Sequence, residues 1–564
     1  MVPRLLAIFL VAVFATPLFA NPHDDVLSHI PPRTAVCIVV RDLSAYTRQL
    51  AESPFAGWFA KTELGQTVRM VINPEKKAEE FEQTLIAQFG LTPEEILNDI
   101  FGDAVAFAYS PGPPEQSLIL IKPRKPNVAA QFLSKLDNLQ TQAKELESVS
   151  NETHRNVKYT ARKKKDGTTE AYLIENGILA FASDDASLKS YIDSRVDKVK
   201  PAPVADSLAQ LKIRNAFATV WFDPRAFDAS FAEQVKKAPE ADRVTMDSMA
   251  RIWSAVDHFA IHADLNENLQ LHISTRLNNS KLPSLVSGIL PFQAGQTSLW
   301  SAIPPDALVA VAGRFAVASM LSKADQLSKT ANQKPLSENV KTAVGGHVGH
   351  DKFQAVIEAL GPDWGLWINA PEQTDTWTPD WTFAIRIRPD PAGKVDTAAA
   401  LMQGVESAAF FARLTYNQSH AEQPQLELKD LTIGDLKIRS FVGKSLPPGL
   451  RPSFAIRGEY FIFASTAERI AKFSIPAADA GMATESPLIR ISGTGLRSYL
   501  KKNSAAITQA IATIKKQDAD DVKSTLDQIV RFLEPIERVE VTAVQNDGLT
   551  RMSFTLMPTK SLKK

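Results

Sequence analysis

Three histidines form the closest approach to a metal-binding set in this sequence. His258 and His262 are four residues apart in an alternating segment, which predicts a strand with both imidazoles on one face. His272 follows in a segment expected to pair with the first as a hairpin. Residues such as Phe259 and Ile261 form the opposite, apolar face, so the histidines are expected toward solvent or a polar interface. A zinc site is the alternative, since imidazole is a common zinc ligand.

Two glycine-containing stretches carry further candidate groups. The run 347–351, His-Val-Gly-His-Asp, places two imidazoles and a carboxylate together, but it lacks the second pair of ligands of a known zinc module. We expect it to be a surface loop. The run 492–495, Ser-Gly-Thr-Gly, has two of the three glycines of a phosphate-binding loop, and a tight strand-to-helix turn explains it.

Four tryptophans, Trp364, Trp367, Trp377 and Trp381, fall in one pair of predicted strands and the loop between them. Exposed indole rings would stack on sugars or polymer chains, whereas buried ones supply a large apolar area to a core. The core interpretation is favoured, and the stacking surface stays open as the alternative.

Cys37 is the only cysteine, so the chain forms no intrachain disulfide. It sits inside the apolar run 35–40, where no neighbouring residue supplies an activating base. We predict a buried structural thiol.

Recognised catalytic signatures are missing from the sequence. It contains no His-Glu-x-x-His, no Gly-x-Ser-x-Gly and no phosphate-binding Gly-x-x-x-x-Gly-Lys-Ser/Thr. No pair of carboxylates is placed by spacing as acid and base. The sequence therefore assigns no catalytic, cofactor-binding or metal-binding residue, and no cofactor.

The elements that would position any site recur twice in the same order. Five segments share strand and turn patterns: a proline-rich approach to a strand, a glycine-aspartate strand start, an alternating strand closed by a basic residue and proline, a strand ending in Ala-Ser, and a terminal hairpin. They begin at Ile30, Phe101, Leu118, Gly177 and Asp257, and again at Ile303, Leu360, Phe383, Glu459 and Glu537. Five matches in one order predict two diverged copies of a unit.

The pattern within a copy predicts an α+β fold with mainly antiparallel sheets packed by helices. We expect a strand, two helices, two strands, a long helix, a three-strand meander, a short helix, and then strand, helix and hairpin. The predicted domains are 21–277 and 298–560, joined by a linker over 278–297. Sub-lobes over 21–200 and 201–277, and over 298–475 and 476–560, are a further possibility, because the strand–helix–hairpin order recurs inside each copy.

Residues 1–20 resemble a secretory signal peptide. Arg4 precedes an uncharged apolar run from Leu5 to Ala20, too short for a membrane span of roughly 20 residues and interrupted by Pro17. We expect cleavage near Ala20, export to a periplasm or the exterior, and no membrane span afterwards.

Charge composition limits the partners. The 63 basic and 63 acidic residues balance, whereas a nucleic-acid-binding protein normally carries a basic footprint. We therefore expect no nucleic acid and another envelope or extracellular macromolecule as the partner. The sequence does not indicate an oligomeric state.

The mature N-terminus resembles a known group of proteins. Ile30-Pro31-Pro32-Arg33-Thr34-Ala35, the strand after it and the Asp42-Leu43 turn are similar to the start of large exported bacterial proteins of unknown function, which lead into a strand through a Leu-Pro-x-Asp-Thr-type sequence. Arg33 departs from the usual acidic residue, and Asp306 restores it in the second copy. The resemblance implies location and fold, and no catalytic residue.

These features together predict an exported, non-enzymatic envelope or extracellular protein that binds a macromolecule or serves as a scaffold. A carrier for an apolar or carbohydrate ligand is the first alternative, with a cleft between the copies or the tryptophan region as its site. A hydrolase built from distant residues is the second.

Overall fold

The computed structural model describes most of the chain. The described residues are 22–53, 83, 85–112, 114–278, 280–282, 296–330, 335–372, 376–476, 485–546 and 548–559. The predicted signal peptide, 1–20, and residues 283–295 of the predicted linker lie outside them.

The described residues form two compact units. The first contains residues up to Ser230 together with His258–Leu265, and the second contains Phe231–Asp257 together with the residues from Asn266 onward. Each unit has its own sheet order and helices.

The first unit and the segment that follows it supply strands β1–β9 and helices α1–α8. The strands are β1 Val36–Arg41, β2 Ala104–Ser110, β3 Gln116–Lys122, β4 Leu146–His154, β5 Val157–Lys164, β6 Thr169–Glu175, β7 Ile178–Ala182, β8 Ala218–Phe222 and β9 Val256–Leu265. The helices are α1 Pro22–Leu27, α2 Leu43–Glu52, α3 Pro93–Glu95, α4 Pro126–Gln142, α5 Asp185–Val196, α6 Val204–Gln210, α7 Asp228–Lys237 and α8 Glu240–Ala255. A π-helical turn, Ile96–Ile100, follows α3, and a 3-10 turn, Pro224–Phe227, precedes α7.

Strands of the first unit pair in the order β4-β5-β6-β7-β3-β2-β1-β8-β9, with every pairing antiparallel. Alternation along β2 buries Ala104, Ala106 and Ala108, as expected for a sheet with one packed face. Helix α1 lies against β2 and β3. Because β1 pairs with both β2 and β8, residues of the two suggested sub-lobes belong to one sheet.

The second unit supplies the remaining elements. Its strands are β10 Leu269–Leu277, β11 Val309–Arg314, β12 Leu360–Asn369, β13 Asp380–Ile387, β14 Glu427–Ile433, β15 Leu436–Val442, β16 Ser453–Arg457, β17 Tyr460–Ala464, β18 Ser486–Ser492, β19 Ile536–Asn546 and β20 Leu549–Pro558. Its further helices are α9 Val317–Thr330, α10 Leu336–Val348, α11 Phe353–Ala359, α12 Thr397–Ser419, α13 Ala467–Lys472, α14 Gly493–Lys515 and α15 Ala519–Phe532, with a 3-10 turn at Ser298–Ser301.

Strands of the second unit pair in the order β14-β15-β16-β17-β13-β12-β11-β18-β19-β20-β10, again antiparallel throughout. Its core centres on the fully buried Leu299, Ala384, Ile462 and Ile470. Helices and antiparallel strands in both units confirm the predicted α+β class.

Each meander has one strand more than the sequence predicts. β4 reads LESVSNETH and exposes nearly every residue, and β14, ELKDLTI, is exposed in the same way. A strand that buries neither face has no alternation of apolar and polar residues, so periodicity does not detect it.

The long helix α4 packs one face on the first sheet and introduces a charge there. Ala129, Leu133 and Asp137, spaced four apart, are its buried residues. Asp137 Oδ1 lies 2.8 Å from Arg162 Nε on β5, and Tyr172 donates to Asp137 Oδ2 at 2.7 Å. Burial and the neighbouring carboxylate raise the pKa of Tyr172 to about 12. The charged pair therefore fixes the helix on the strands.

None of the described helices combines the length and apolar character that crossing a membrane requires.

Candidate functional site

The predicted histidine face is not the solvent face. His262 is 4% exposed and Ala260, on the same face of β9, is fully buried, whereas Phe259 and Ile261 are only half-buried. Of the two predicted placements, solvent or a polar interface, solvent is excluded for His262, because His258 and His262 alternate with Ala260 on the side of β9 that is more buried. His258 and His262 belong to the first unit and His272 to the second, where its Nδ1 lies 2.8 Å from Ser553 Oγ.

The structure contains a serine–histidine contact that the sequence patterns do not predict. Ser207 Oγ on α6 lies 3.0 Å from His258 Nδ1, and Gln210 Oε1 lies 3.0 Å from His258 Nε2. The pairing resembles an activated nucleophile in composition, but Ser207 is fully buried, so no substrate reaches its hydroxyl. The contact instead ties α6 to β9.

The stretch 347–351 spans the end of a helix and the exposed turn that follows it. Helix α10 continues through Val348, and Gly349 terminates it with φ 96°, a conformation that favours glycine. His347 Nδ1 lies 2.9 Å from Ser407 Oγ on α12. His347 packs against α12, so the surface-loop prediction is corrected for 347–348, whereas His350 and Asp351 lie exposed in the turn.

The stretch 492–495 is the tight strand-to-helix turn that the sequence predicts. Ser492 ends β18 and caps α14 by accepting from Gly495 N at 3.0 Å. A Cβ on Gly493 would lie 2.3 Å from the carbonyl oxygen of Ile536, so the backbone there requires glycine. The turn is structural.

The four tryptophans occupy separate packing environments. Trp367 is 4% exposed and stacks on Phe473, and the others are half-buried. Trp377 packs against the cluster of Ile507, Val522 and Leu526. The core interpretation is confirmed for Trp367, and the other three are partly packed.

One concave surface of the first unit is a groove of about 360 Å³, here called the serine groove. Its floor comes from β2 and β3, one wall from α5, and the other from the prolines that precede β1. Hydroxyl and amide groups dominate its polar lining: Ser110, Gln116, Ser117, Ser187, Ser190 and Ser194. Hydroxyls both donate and accept hydrogen bonds, so such a lining suits a ligand rich in hydroxyl groups.

The N-terminus of α5 fixes the serine wall. Asp184 caps the helix by accepting from Ser187 N at 2.7 Å and from Ser187 Oγ at 2.6 Å. Ser190 and Ser194 follow three and seven residues later, which places them on the same helix face. Across the groove, Ser117 Oγ lies 2.9 Å from Ser183 Oγ.

The two carboxylates on the groove are engaged by neighbouring cationic groups. Asp193 lies 2.7 Å from His154 Nε2 and 3.5 Å from Arg155, and Asp197 lies 2.7 Å from Arg155. Arg33 is exposed at the rim and forms no ion pair within the described part of the chain. Among the described lining residues, no serine hydroxyl bonds a histidine, so the groove has binding groups without a base-activated nucleophile.

A second cavity of about 370 Å³, here called the basic cavity, adjoins the groove. The two share Pro32, Ser194 and Val199 in their linings. The basic cavity adds His29, Arg195, Lys198 and Lys200, and no described residue lining it is an aspartate or glutamate.

Among the groups that line the basic cavity, His29 has a lowered pKa. Burial, with the charges of Arg195 and Lys122, holds the pKa of His29 below its usual value, although the carbonyl of Asp25 acts in the opposite direction. The positive charge of the cavity therefore comes from Arg195 and the two lysines.

In the second unit, the ends of β12 and β13 meet α13 at a cluster of charges, here called the ion-pair cluster. Arg469 lies 2.7 Å from Asp380 and 3.1 Å from Glu372, and Lys472 also pairs with Glu372. The cavity beside it measures only about 70 Å³.

Comparison with known proteins identifies no relative: no family model, no curated protein and no solved structure matches this chain. Sequence reasoning missed the serine groove because its lining comes from three distant segments. The only local signal was the spacing of Ser187, Ser190 and Ser194 behind a capping aspartate.

Proposed function

We propose that this chain is an exported, non-enzymatic envelope or extracellular protein that binds a macromolecule through the serine groove. The proposal joins three parts: export directed by residues 1–20, two diverged copies of one unit, and a binding groove in the first unit at a place where the described residues of the second unit hold a salt bridge. Its resemblance to exported proteins of unknown function agrees with this location.

Strand order supports the duplication. From its meander to β9, the first unit follows β4-β5-β6-β7-β3-β2-β1-β8-β9, and the second follows the same path when each number is raised by ten. β10 and β20, the last strands of the proposed copies, pair with each other in the second unit. Two unrelated sequences would rarely reproduce so long a path.

Strand register supports it independently. The repeated segment before β1 aligns Val36 with Val309, and the repeated terminal hairpin aligns Phe259 with Val539. In each unit, the two aligned residues pair with the same residue of the strand that lies between them, β8 in the first unit and β18 in the second. The paired residues are Val36–Phe222–Phe259 and Val309–Ile491–Val539. A one-residue slip in either unit would break this agreement.

The same alignment reveals where the copies differ. The repeat that ends β7 and β17 aligns Ala182 with Ala464, which sets Ser187 against Arg469; both are the third helical residue after a capping side chain. Ala182 pairs with Leu118 on β3, and Ala464 pairs with Thr382 on β13. Gln116 and Asp380, each two residues before these partners, therefore occupy corresponding positions. Residues that line an open groove in one copy thus correspond to a salt bridge in the other.

This difference carries the functional proposal. Neutral serines and an amide leave about 360 Å³ open in the first unit, whereas the arginine and its carboxylates leave about 70 Å³ in the second. Open, polar and concave surfaces are where ligands bind, and the groove lacks a nucleophile paired with a base. The carbohydrate carrier, the first alternative, shares this site; the hydroxyl lining favours a sugar over an apolar ligand.

Blocking the groove tests the proposal. Ser190→Trp places a large ring on the groove wall, and Ser524→Trp adds the same ring to an exposed position of α15 as the matched control. We expect the wild type and Ser524→Trp to retain a component of the native envelope fraction in an affinity capture, and Ser190→Trp to lose it. Capture of the same component by all three proteins, or of none by the wild type, would contradict the proposal.

A further inference from the structure

We propose that the ligand of the serine groove is an acidic oligosaccharide segment whose carboxylate occupies the basic cavity. The inference rests on the proposed binding function and adds the chemical class of the ligand. It follows from two adjoining cavities of different chemistry.

The basic cavity has uncompensated positive charge. Among the described residues, neither Arg195 nor Lys198 forms an ion pair, and Lys200 lies 3.6 Å from Asp206 with both side chains largely exposed. Such an exposed pair is weak. With no described carboxylate in the lining, the cavity provides donors and charge for an anion.

Arg195 and Lys198 lie at the turn that follows α5. Asp197 ends the helix, and Lys198 takes the left-handed conformation, φ 54°, which is uncommon for residues other than glycine. Two backbone bonds hold this turn, Lys198 N to Arg195 O at 3.2 Å and Val199 N to Ser194 O at 2.9 Å. The backbone that carries Arg195 and Lys198 is therefore fixed, although their side chains extend toward solvent.

The serine groove supplies the complementary neutral contacts. Ser190 lines the groove, and Ser194 lines both cavities, so one bound molecule would meet hydroxyls and cations in succession. The carboxylates of Asp193 and Asp197, both paired with Arg155, would accept hydrogen bonds from sugar hydroxyls. A ligand with adjacent hydroxyls and one acid group matches this sequence of contacts, and an acidic sugar has both.

Hydroxyl content and the shape of the cavities favour an acidic glycan over an acidic peptide or an anionic lipid surface. An acidic peptide has few hydroxyls to pair with the serine wall. An anionic membrane is flat, whereas both cavities are concave. These two partners remain outcomes that the test separates.

Calorimetric titration of the full chain tests the inference. The probe is a trimer of galacturonate, and the reference is the neutral galactose trimer with the same linkage. We expect the acidic trimer to bind at least about tenfold more tightly, with affinity falling as salt screens the exposed cations.

Two variants locate the effect. Arg195→Gln/Lys198→Gln should lower the affinity for the acidic trimer about tenfold and leave the neutral trimer unchanged. Lys501→Gln/Lys502→Gln removes the same charge from an exposed face of α14 and should change neither. Circular dichroism confirms that each variant is folded.

The remaining outcomes separate this inference from the proposed function. Equal binding of both trimers, or no effect of the double variant, overturns the acidic class. Binding to vesicles of anionic phospholipid or to poly-glutamate, but not to the trimer, also overturns it. In each of these cases, capture of an envelope component by the wild type but not by Ser190→Trp would still support the proposed binding function. If neither the capture nor the binding of the acidic trimer is observed, both proposals are wrong.

Discussion

The buried Arg162 on β5 and the more exposed Arg439 on β15 should differ sharply in their contribution to stability. Both pair with a carboxylate of the long helix beside them: Arg162 with Asp137 of α4 at 2.8 Å, and Arg439 with Glu406 of α12 at 3.0 Å. The side chains of the first pair are 5% and 9% exposed, and those of the second are 26% and 37% exposed.

Burial sets the expected magnitudes. Arg162→Met leaves Asp137 as an unpaired buried charge, which costs about 3–5 kcal/mol. Arg439→Met removes a pair that water already screens, and it should cost less than about 1 kcal/mol. Arg162→Met/Asp137→Leu removes both buried charges and should restore most of the loss.

Hydrogen exchange resolves the two sites, because it reports the opening free energy of each amide separately. Amides of β5 should exchange faster in Arg162→Met by roughly two to three and a half orders of magnitude, at about 1.4 kcal/mol per tenfold. Amides of β15 should change by less than about tenfold in Arg439→Met. Equal losses at the two sites, or a double variant no better than Arg162→Met, would refute the reasoning from burial.

Three further predictions concern single side chains. Burial raises the pKa of Cys37 to about 12, so native protein should resist alkylation that goes to completion in denaturant; rapid native labelling would contradict its packing. Because the pKa of His29 is lowered in the folded protein, the unfolded chain binds more protons below about pH 6.5. The free energy of unfolding should therefore fall from about pH 7 toward pH 5, and it should fall less steeply in His29→Gln. The same slope of Tm against pH in His29→Gln and the wild type would count against this. Gly493→Ala should lower Tm because its Cβ meets the Ile536 carbonyl, whereas Gly346→Ala has open space and should gain up to about 1 kcal/mol in helix propensity.

Turns and amphipathic helices could be predicted from the sequence, because they depend on residues that are close together in the chain. The pairs Asp166-Gly167 and Asn176-Gly177 predict tight turns, and Asn176 and Gly177 both have positive φ in the structure. Apolar spacing over 128–139 and 526–533 predicts helices, and α4 and α15 cover nearly all of these residues.

Features that depend on tertiary contacts could not be predicted from the sequence. The exposed strand β4 has no apolar face to reveal it, and Arg162 reads as one more cation in a basic stretch until α4 brings Asp137 to it. The face of β9 that carries His262 was predicted correctly but its burial was not, because alternation distinguishes the two faces of a strand without saying which one the protein covers.

The candidate site could not be predicted as a site. The groove joins the loop before β1, the ends of β2 and β3, and α5, which are separated by up to about 150 residues of sequence. Serines at such positions have no distinctive spacing beyond one helix face. What the sequence did offer was the predicted repeat, and if the proposed duplication holds, the groove lies where the two units differ.

Hydrogen exchange in the presence of polysaccharide from the native envelope tests the central claim most directly. Binding in the serine groove should slow exchange in residues 28–33 and 187–199, while residues 466–472 beside the ion-pair cluster keep their rates. Protection confined to other surfaces, or equal protection at both places, would contradict the assignment of the groove as the binding site.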